Sequence, residues 1–200
     1  MEWLFVFIAY LIGSVQWGLY VVKLTKGLDV RTVGSGSTGT TNVLRSAGKT
    51  AAIVVLLADA AKGLSVALIA KTVSDDPTLH AAATAGVIIG HIFPILTGFK
   101  GGRGIATGVG TIAGLGLWGP TIALLVFIPV VATTRYVSLG SVLAVVTTMI
   151  VFSAQTIWFD GPVAYLIYVL GCGSLIIGMH RENIKRLISG NEPRIGQSAT

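Results

Sequence analysis

IATGVGTIAGLGLWGPTIALLVFIPVVATT, residues 105–134, runs for thirty positions without a charge between Arg103 and Arg135. As one helix rising 1.5 Å per residue it would reach about 45 Å, well beyond the roughly 30 Å of a bilayer's hydrocarbon core. Trp118-Gly119-Pro120 offers a turn near its middle. The stretch is therefore read as two short crossings, 105–117 and 120–134, with a re-entrant hairpin as the alternative of the same parity. Either way Arg103 and Arg135 return to one face.

Working outward, five more apolar runs flank this one, at 3–22, 50–70, 79–97, 137–158 and 162–179. The composition agrees: 53% of residues are hydrophobic and only 11% charged, against about a quarter charged in soluble domains. The expected fold is all-α, a polytopic integral membrane protein of seven transmembrane helices in a single domain, 1–200. The first run follows Glu2 rather than a basic segment and has no convincing small-residue cleavage site, so it reads as a retained helix. A single cysteine, Cys172, cannot form an internal disulfide, and Gly171 and Gly173 beside it point to close helix packing.

Charge sets the orientation. Basic residues fall into four groups, Lys23 to Lys49, Lys100 with Arg103, Arg135, and Arg181 to Arg194. Placing all four in the cytoplasm leaves only Lys71, against Glu2, Asp75, Asp76 and Asp160, for the other face. The N-terminus is then outside and the C-terminus cytoplasmic. The net charge of +6 belongs to this one surface, facing anionic lipid, and no nucleic-acid partner is expected.

Three polar stretches interrupt the apolar chain, 33–45, 98–107 and 180–192. The first, Val33-Gly34-Ser35-Gly36-Ser37-Thr38-Gly39-Thr40-Thr41-Asn42-Val43-Leu44-Arg45, formally contains a dinucleotide fingerprint, with Asp59 twenty residues past Gly39. That fingerprint has meaning only between a strand and a helix, and here membrane helices stand on both sides. What remains is an anion cradle: glycines let backbone N–H groups converge, Ser and Thr hydroxyls add donors, and a helix start favours negative charge. Arg45 can fork onto phosphate oxygens. In the second, Gly98-Phe99-Lys100-Gly101-Gly102-Arg103-Gly104-Ile105-Ala106-Thr107, two cations and four glycines precede a helix N-terminus without the Walker spacing, so phosphate binding without nucleotide hydrolysis is expected. In the third, His180 and Asn183 are helix neighbours, with Ile184 and Leu187 forming an apolar stripe suited to the interface.

Within the apolar runs, Asp59 and Lys62 share a face at i, i+3 and are expected to pair, inside the protein, in support of the site. His91 and Pro94 read as kink and packing elements. Ser138 and Ser141 are candidates for lining the same cytoplasmic pocket. No metal-ligand cluster is visible, and no cofactor is expected.

Taken together, the first loop through Arg45, Gly90-His91-Ile92-Phe93-Pro94 with the second loop, and His180 through Leu187 with Glu192, resemble the bacterial acyl-phosphate:glycerol-3-phosphate acyltransferase family over nearly the whole chain. The resemblance implies a seven-helix enzyme of the bacterial inner membrane with its active site facing the cytoplasm. It implies transfer of a fatty acyl group from acyl phosphate to the 1-hydroxyl of sn-glycerol 3-phosphate, giving lysophosphatidate and inorganic phosphate, the first step of phospholipid synthesis. Ser35, Arg45, His180 and Asn183 match residues important for activity, and the second loop matches the glycerol-phosphate loop. The substrate and phosphate contacts expected are then Gly34, Gly36, Ser37, Thr41, Asn42, Lys100, Gly101, Gly102, Arg103, Gly104, Thr107, Ser138 and Ser141, with Asp59, Lys62 and Glu192 in support. Two positions depart from the family: Ser37 replaces an asparagine, and Arg103 replaces a lysine, which trades a point charge for a planar fork.

No serine or cysteine sits in a nucleophile constellation, so direct attack of the substrate hydroxyl is expected, with His180 or a donor phosphate oxygen as base. The soluble acyltransferase signature, His followed by four residues and Asp, is absent at His80, His91 and His180. The rival reading is a transporter of a phosphorylated solute, which would place its site at mid-membrane and show internal repeats. The chain is expected to work as a monomer.

Overall fold

The computed structural model describes residues 2–116 and 118–197, and among them every regular element is helical. The helices are α1 (Leu4–Gly13), α2 (Trp17–Lys26), α3 (Thr40–Ala47), α4 (Lys49–Val73), α5 (Pro77–Ile92), α6 (Ile105–Leu115), α7 (Trp118–Thr134), α8 (Val137–Trp158), α9 (Val163–Met179) and α10 (Arg181–Ile188). Four helical stretches, Leu4–Lys26, α4, Pro77–Thr97 and α8, are long and apolar enough to cross a bilayer. Helices α9 and α10, bent by 57° at His180, make a fifth when taken as one span. At 11 and 17 residues, α6 and α7 fall short of that length. Leu57, Leu68, Leu125, Ile128, Ile150 and Ile167 point outward on these helices, as a lipid-facing surface requires.

The first apolar run is not one helix. It breaks over Ser14, Val15 and Gln16, and the break leaves carbonyls without helical partners. These are met from inside: Lys62 Nζ donates to Gly13 O at 3.2 Å and Val15 O at 2.9 Å, and Gln16 Nε2 reaches Gly13 O at 3.4 Å and His91 O at 3.2 Å. A cation at the carbonyl end of α1 is also favoured by the helix dipole. Asp59 pairs with Lys62 at 2.8 Å, both buried, as their spacing predicts. His91 is more than a packing element, because its Nδ1 lies 2.9 Å from Lys62 Nζ.

Other boundaries move for local reasons. Trp118-Gly119-Pro120 is the first turn of α7 rather than the link before it; a proline is tolerated there because first-turn N–H groups have no helical acceptor. The link falls instead after Leu115, at Gly116, with Leu117 outside the described residues. Helix α5 stops at Ile92, since Pro94 disfavours helical backbone in Phe93, and a 3₁₀ turn, Ile95–Thr97, follows. Two of the polar stretches hold short helices of their own, α3 and α10.

Helix α4 packs along α6, α1 along α5, and α7 along α8. The α4–α6 contact depends on small residues: a Cβ added at Gly63 would overlap Thr107 O, at Gly110 Ala60 O, and at Gly114 the Cβ of Ala67. Close backbone approach of this kind is how helices associate in lipid. Gly171, by contrast, has open space around it. Gly110→Leu should lower stability by about 3 kcal/mol or more, read as a fall in thermal midpoint in detergent, while Gly171→Ala leaves the midpoint within about 1 °C.

Candidate active site

The three polar stretches meet around one cavity of about 270 Å³. Its polar wall holds Ser35, Ser37, Thr41, Asn42 and Arg45 from the first stretch, Arg103 and Gly104 from the second, and His180, Asn183 and Glu192 from the third. Ser138 and Ser141 enter from α8, and Asp59 and His91 lie at the inner end. Leu44, Leu56, Phe127 and Val131 make an apolar side. A second, smaller apolar cavity between α6, α8 and α9 shares Ile105 and Ser141 with the first.

The first loop is held by one amide. Asn42 Nδ2 donates to Val30 O, Val33 O and Ser37 O at 2.9–3.0 Å, and its Oδ1 accepts from Ser35 N at 3.0 Å. Asn42 therefore shapes the loop instead of offering its amide to a ligand. Gly34, at φ 58°, is required because a Cβ would overlap Asn42 Oδ1. Ser37 Oγ accepts from Gly39 N at 3.2 Å, just before α3 begins. Helix α3 begins with Thr40 and Thr41 and α6 with Ile105 and Ala106, and all four residues line the cavity, so both helix N-termini open on it.

Arg103 is the central cation. It makes no hydrogen bond or ion pair among the described residues, yet burial, followed by the neighbouring Arg186 and Arg45, lowers its pKa, with Glu192 opposing. A guanidinium in that state is suited to an anion with several oxygens. Arg45, on the last turn of α3, reaches only Pro193 O at 3.5 Å.

Glu192 organises the third stretch. Its Oε1 accepts from Ser138 Oγ at 2.7 Å and Asn183 Nδ2 at 2.6 Å, and its Oε2 from Arg186 Nε at 2.8 Å. Burial raises the carboxyl pKa, but these three donors outweigh it and hold the group below its ordinary value. Because a carboxylate only accepts, Asn183 must turn its NH₂ toward Glu192. Its buried Oδ1 is left without a protein partner, as is Thr40 Oγ1. His180 is fixed likewise: Nδ1 donates to Ile176 O at 2.8 Å, which leaves Nε2 as an acceptor. Burial, and then Arg103, depress its pKa against the Ile176 bond and Glu192, so the ring is neutral at pH 7.

Several expected contacts lie elsewhere. Lys100 is exposed and outside the cavity. Thr107 is buried against Gly63 of α4. Gly34, Gly36, Gly101 and Gly102 do not line the cavity; Gly101 and Gly102 pack on His91, where a Cβ would overlap its carbonyl oxygen or its Nε2. Lys62 sits behind Asp59. The cavity also uses Pro193 and Ile195, which carried no sequence signal. That tail is tied down by Ile195 N donating to Arg135 O at 2.8 Å, by Arg135 Nη2 donating to Ile195 O at 2.9 Å, and by Arg194 over the Tyr136 ring at 5.2 Å.

Known proteins resemble this chain in sequence and in fold. The family model for glycerol-3-phosphate acyltransferase matches residues 3–190. A glycerol-3-phosphate acyltransferase of Halalkalibacterium halodurans is 40% identical over 98% of this chain and 97% of its own length. One from Prochlorococcus marinus strain NATL1A is 42% identical over 98% and 100%. The crystal structure of PlsY, an integral membrane glycerol 3-phosphate acyltransferase, in its glycerol 3-phosphate form superposes with a TM-score of 0.90 at 37% identity, covering 98% of this chain and 96% of that one. Its lysophosphatidic acid form gives 0.87 at 36%. Transport is not favoured by any of these likenesses, and with three polar stretches converging on one cationic cavity, the chain belongs to the glycerol-3-phosphate acyltransferase family.

Proposed function

We propose that this chain transfers a fatty acyl group from acyl phosphate to the 1-hydroxyl of sn-glycerol 3-phosphate, releasing lysophosphatidate and inorganic phosphate. The observation that carries the reading is the unpaired Arg103 beside two fixed acceptors, His180 Nε2 and Asn183 Oδ1, in one cavity. Arg45 and Arg103, with the N–H groups opening α3 and α6, hold the phosphates of donor and acceptor. The acceptors His180 and Asn183 receive and orient the glycerol hydroxyl, and Ser35 and Ser37 add donors at the loop. The fatty chain extends along the apolar side toward lipid.

In the reaction the hydroxyl oxygen attacks the acyl carbon, its proton passes to His180 Nε2, and the acyl–phosphate C–O bond breaks. Phosphate leaves without a covalent enzyme intermediate, so the protein supplies position and charge stabilisation. The site faces the cytoplasm of a bacterial inner membrane in a seven-crossing chain, N-terminus outside, with α6 and α7 as short crossings. The distribution of Lys and Arg supports this. The chain works as a monomer, since the whole cavity is lined by one copy.

Three measurements test the reading. Purified protein given palmitoyl phosphate and labelled glycerol 3-phosphate should form lysophosphatidate, and palmitoyl-CoA should give none; product from palmitoyl-CoA alone overturns the donor. Because the pKa of His180 is depressed below 6.5, kcat/KM should be level near neutrality and fall as acid protonates Nε2, while Glu192 stays a carboxylate through that range. His180→Asn should lose that acid limb and about 10²-fold or more in kcat; a profile that keeps the limb assigns the proton to the departing phosphate. In a Cys172→Ala background, cysteines at Lys49, Lys100 and Ser189 should label only from the cytoplasmic side, and those at Asp75 and Asp160 only from outside.

A further inference from the structure

We propose that His91 is a positioning residue, which sets the place of Arg103 by holding the second loop from beneath and takes no part in the chemistry. It rests on the reading of Arg103 as a phosphate ligand and extends it to the residue on which the backbone before Arg103 packs.

Lys62 Nζ has only protons to offer, so His91 Nδ1, 2.9 Å from it, is the acceptor and the ring proton sits on Nε2. That edge of the ring faces Gly102, so closely that a Cβ there would overlap Nε2. The His91 carbonyl accepts from Gly102 N at 3.1 Å and from Gln16 Nε2 at 3.2 Å. Gly101 lies against the same oxygen, and a Cβ there would also meet Pro94 Cδ. The backbone bond from this part of the loop to the first polar stretch, Thr38 N donating to Gly101 O, is long at 3.5 Å. Arg103 follows directly, and among the described residues no hydrogen bond or ion pair holds its guanidinium. Its place in the cavity is therefore inherited from the backbone at Gly102, which His91 fixes. The ring in turn is fixed by Lys62 and Asp59, the pair that satisfies the break between α1 and α2.

Two variants separate positioning from mere support of the buried lysine. Asn at 91 puts an oxygen where Nδ1 was, so it keeps Lys62 satisfied and empties the wall beside Gly102. Gln reaches toward Gly102 and abandons Lys62. Positioning predicts that His91→Asn raises KM for glycerol 3-phosphate about tenfold with kcat within about twofold, and that His91→Gln raises it about threefold or less. Arg103→Ala should raise the same KM, and adding His91→Asn to it should raise KM no further, as expected for two changes acting through one contact. If His91→Asn is the better tolerated, if kcat falls while KM holds, or if neither variant yields folded protein, the proposal is overturned. Should Arg103→Ala leave KM unchanged, the phosphate reading of Arg103 fails first and takes this inference with it; a raised KM in Arg103→Ala with an unchanged one in His91→Asn sinks the inference alone.

Discussion

Lys62 and the backbone it serves are the constraint on which this molecule depends. Inside a bilayer a broken helix has no water to meet its carbonyls, and the break at Ser14–Gln16 exposes such groups within the protein. One ammonium satisfies two of them, Asp59 balances its charge, and His91 accepts its remaining reach. Replacing such a pair by apolar residues is often harmless to stability elsewhere. Here that would strand carbonyls on α1, so charge and break are retained together.

From that cluster the order passes outward. Gln16 joins it to Thr38 of the first loop, through a 2.6 Å bond from Thr38 Oγ1, and His91 joins it to the second. Both loops then present cations and helix starts to one cavity whose two carboxylates are already engaged, Asp59 by Lys62 and Glu192 by Ser138, Asn183 and Arg186. The cavity is thus anion-seeking even though carboxylates line it. The same saturation leaves Asn183 Oδ1 as the end of the amide without a partner among the described residues, so a structural glutamate fixes the orientation of a neighbouring side chain.

Much of this was legible in the residues. Apolar runs located the helices because lipid demands length and hydropathy together, and Asp59 with Lys62 declared their pairing by spacing alone. Ser35, Arg45, Arg103, His180 and Asn183, candidates by residue type and resemblance, all line one cavity. Other features were hidden for physical reasons. Glycine-rich composition cannot tell a phosphate loop from tight packing, so Gly101 and Gly102 read as ligands while they make room for His91. Lys100 has the right charge but its side chain points to solvent. The break at Gln16 is a tertiary event, because its carbonyls are met by Lys62, some fifty positions away, while Gln16 itself bonds the His91 carbonyl seventy-five positions away. Pro193 and Ile195 carry no chemical signature at all, and line the cavity only because Arg135 and Tyr136 anchor the chain around them.

That last feature governs when the protein becomes competent. Arg45 Nη2 and Pro193 O are 148 positions apart, and Glu192 lies beyond the final long helix. During synthesis every helix can enter the bilayer and the cationic loops can form while the pocket still lacks a wall and the hydrogen bonds that orient Asn183. The pocket is therefore complete only once the segment carrying Glu192 and Pro193 has folded back onto α3, α8 and α10.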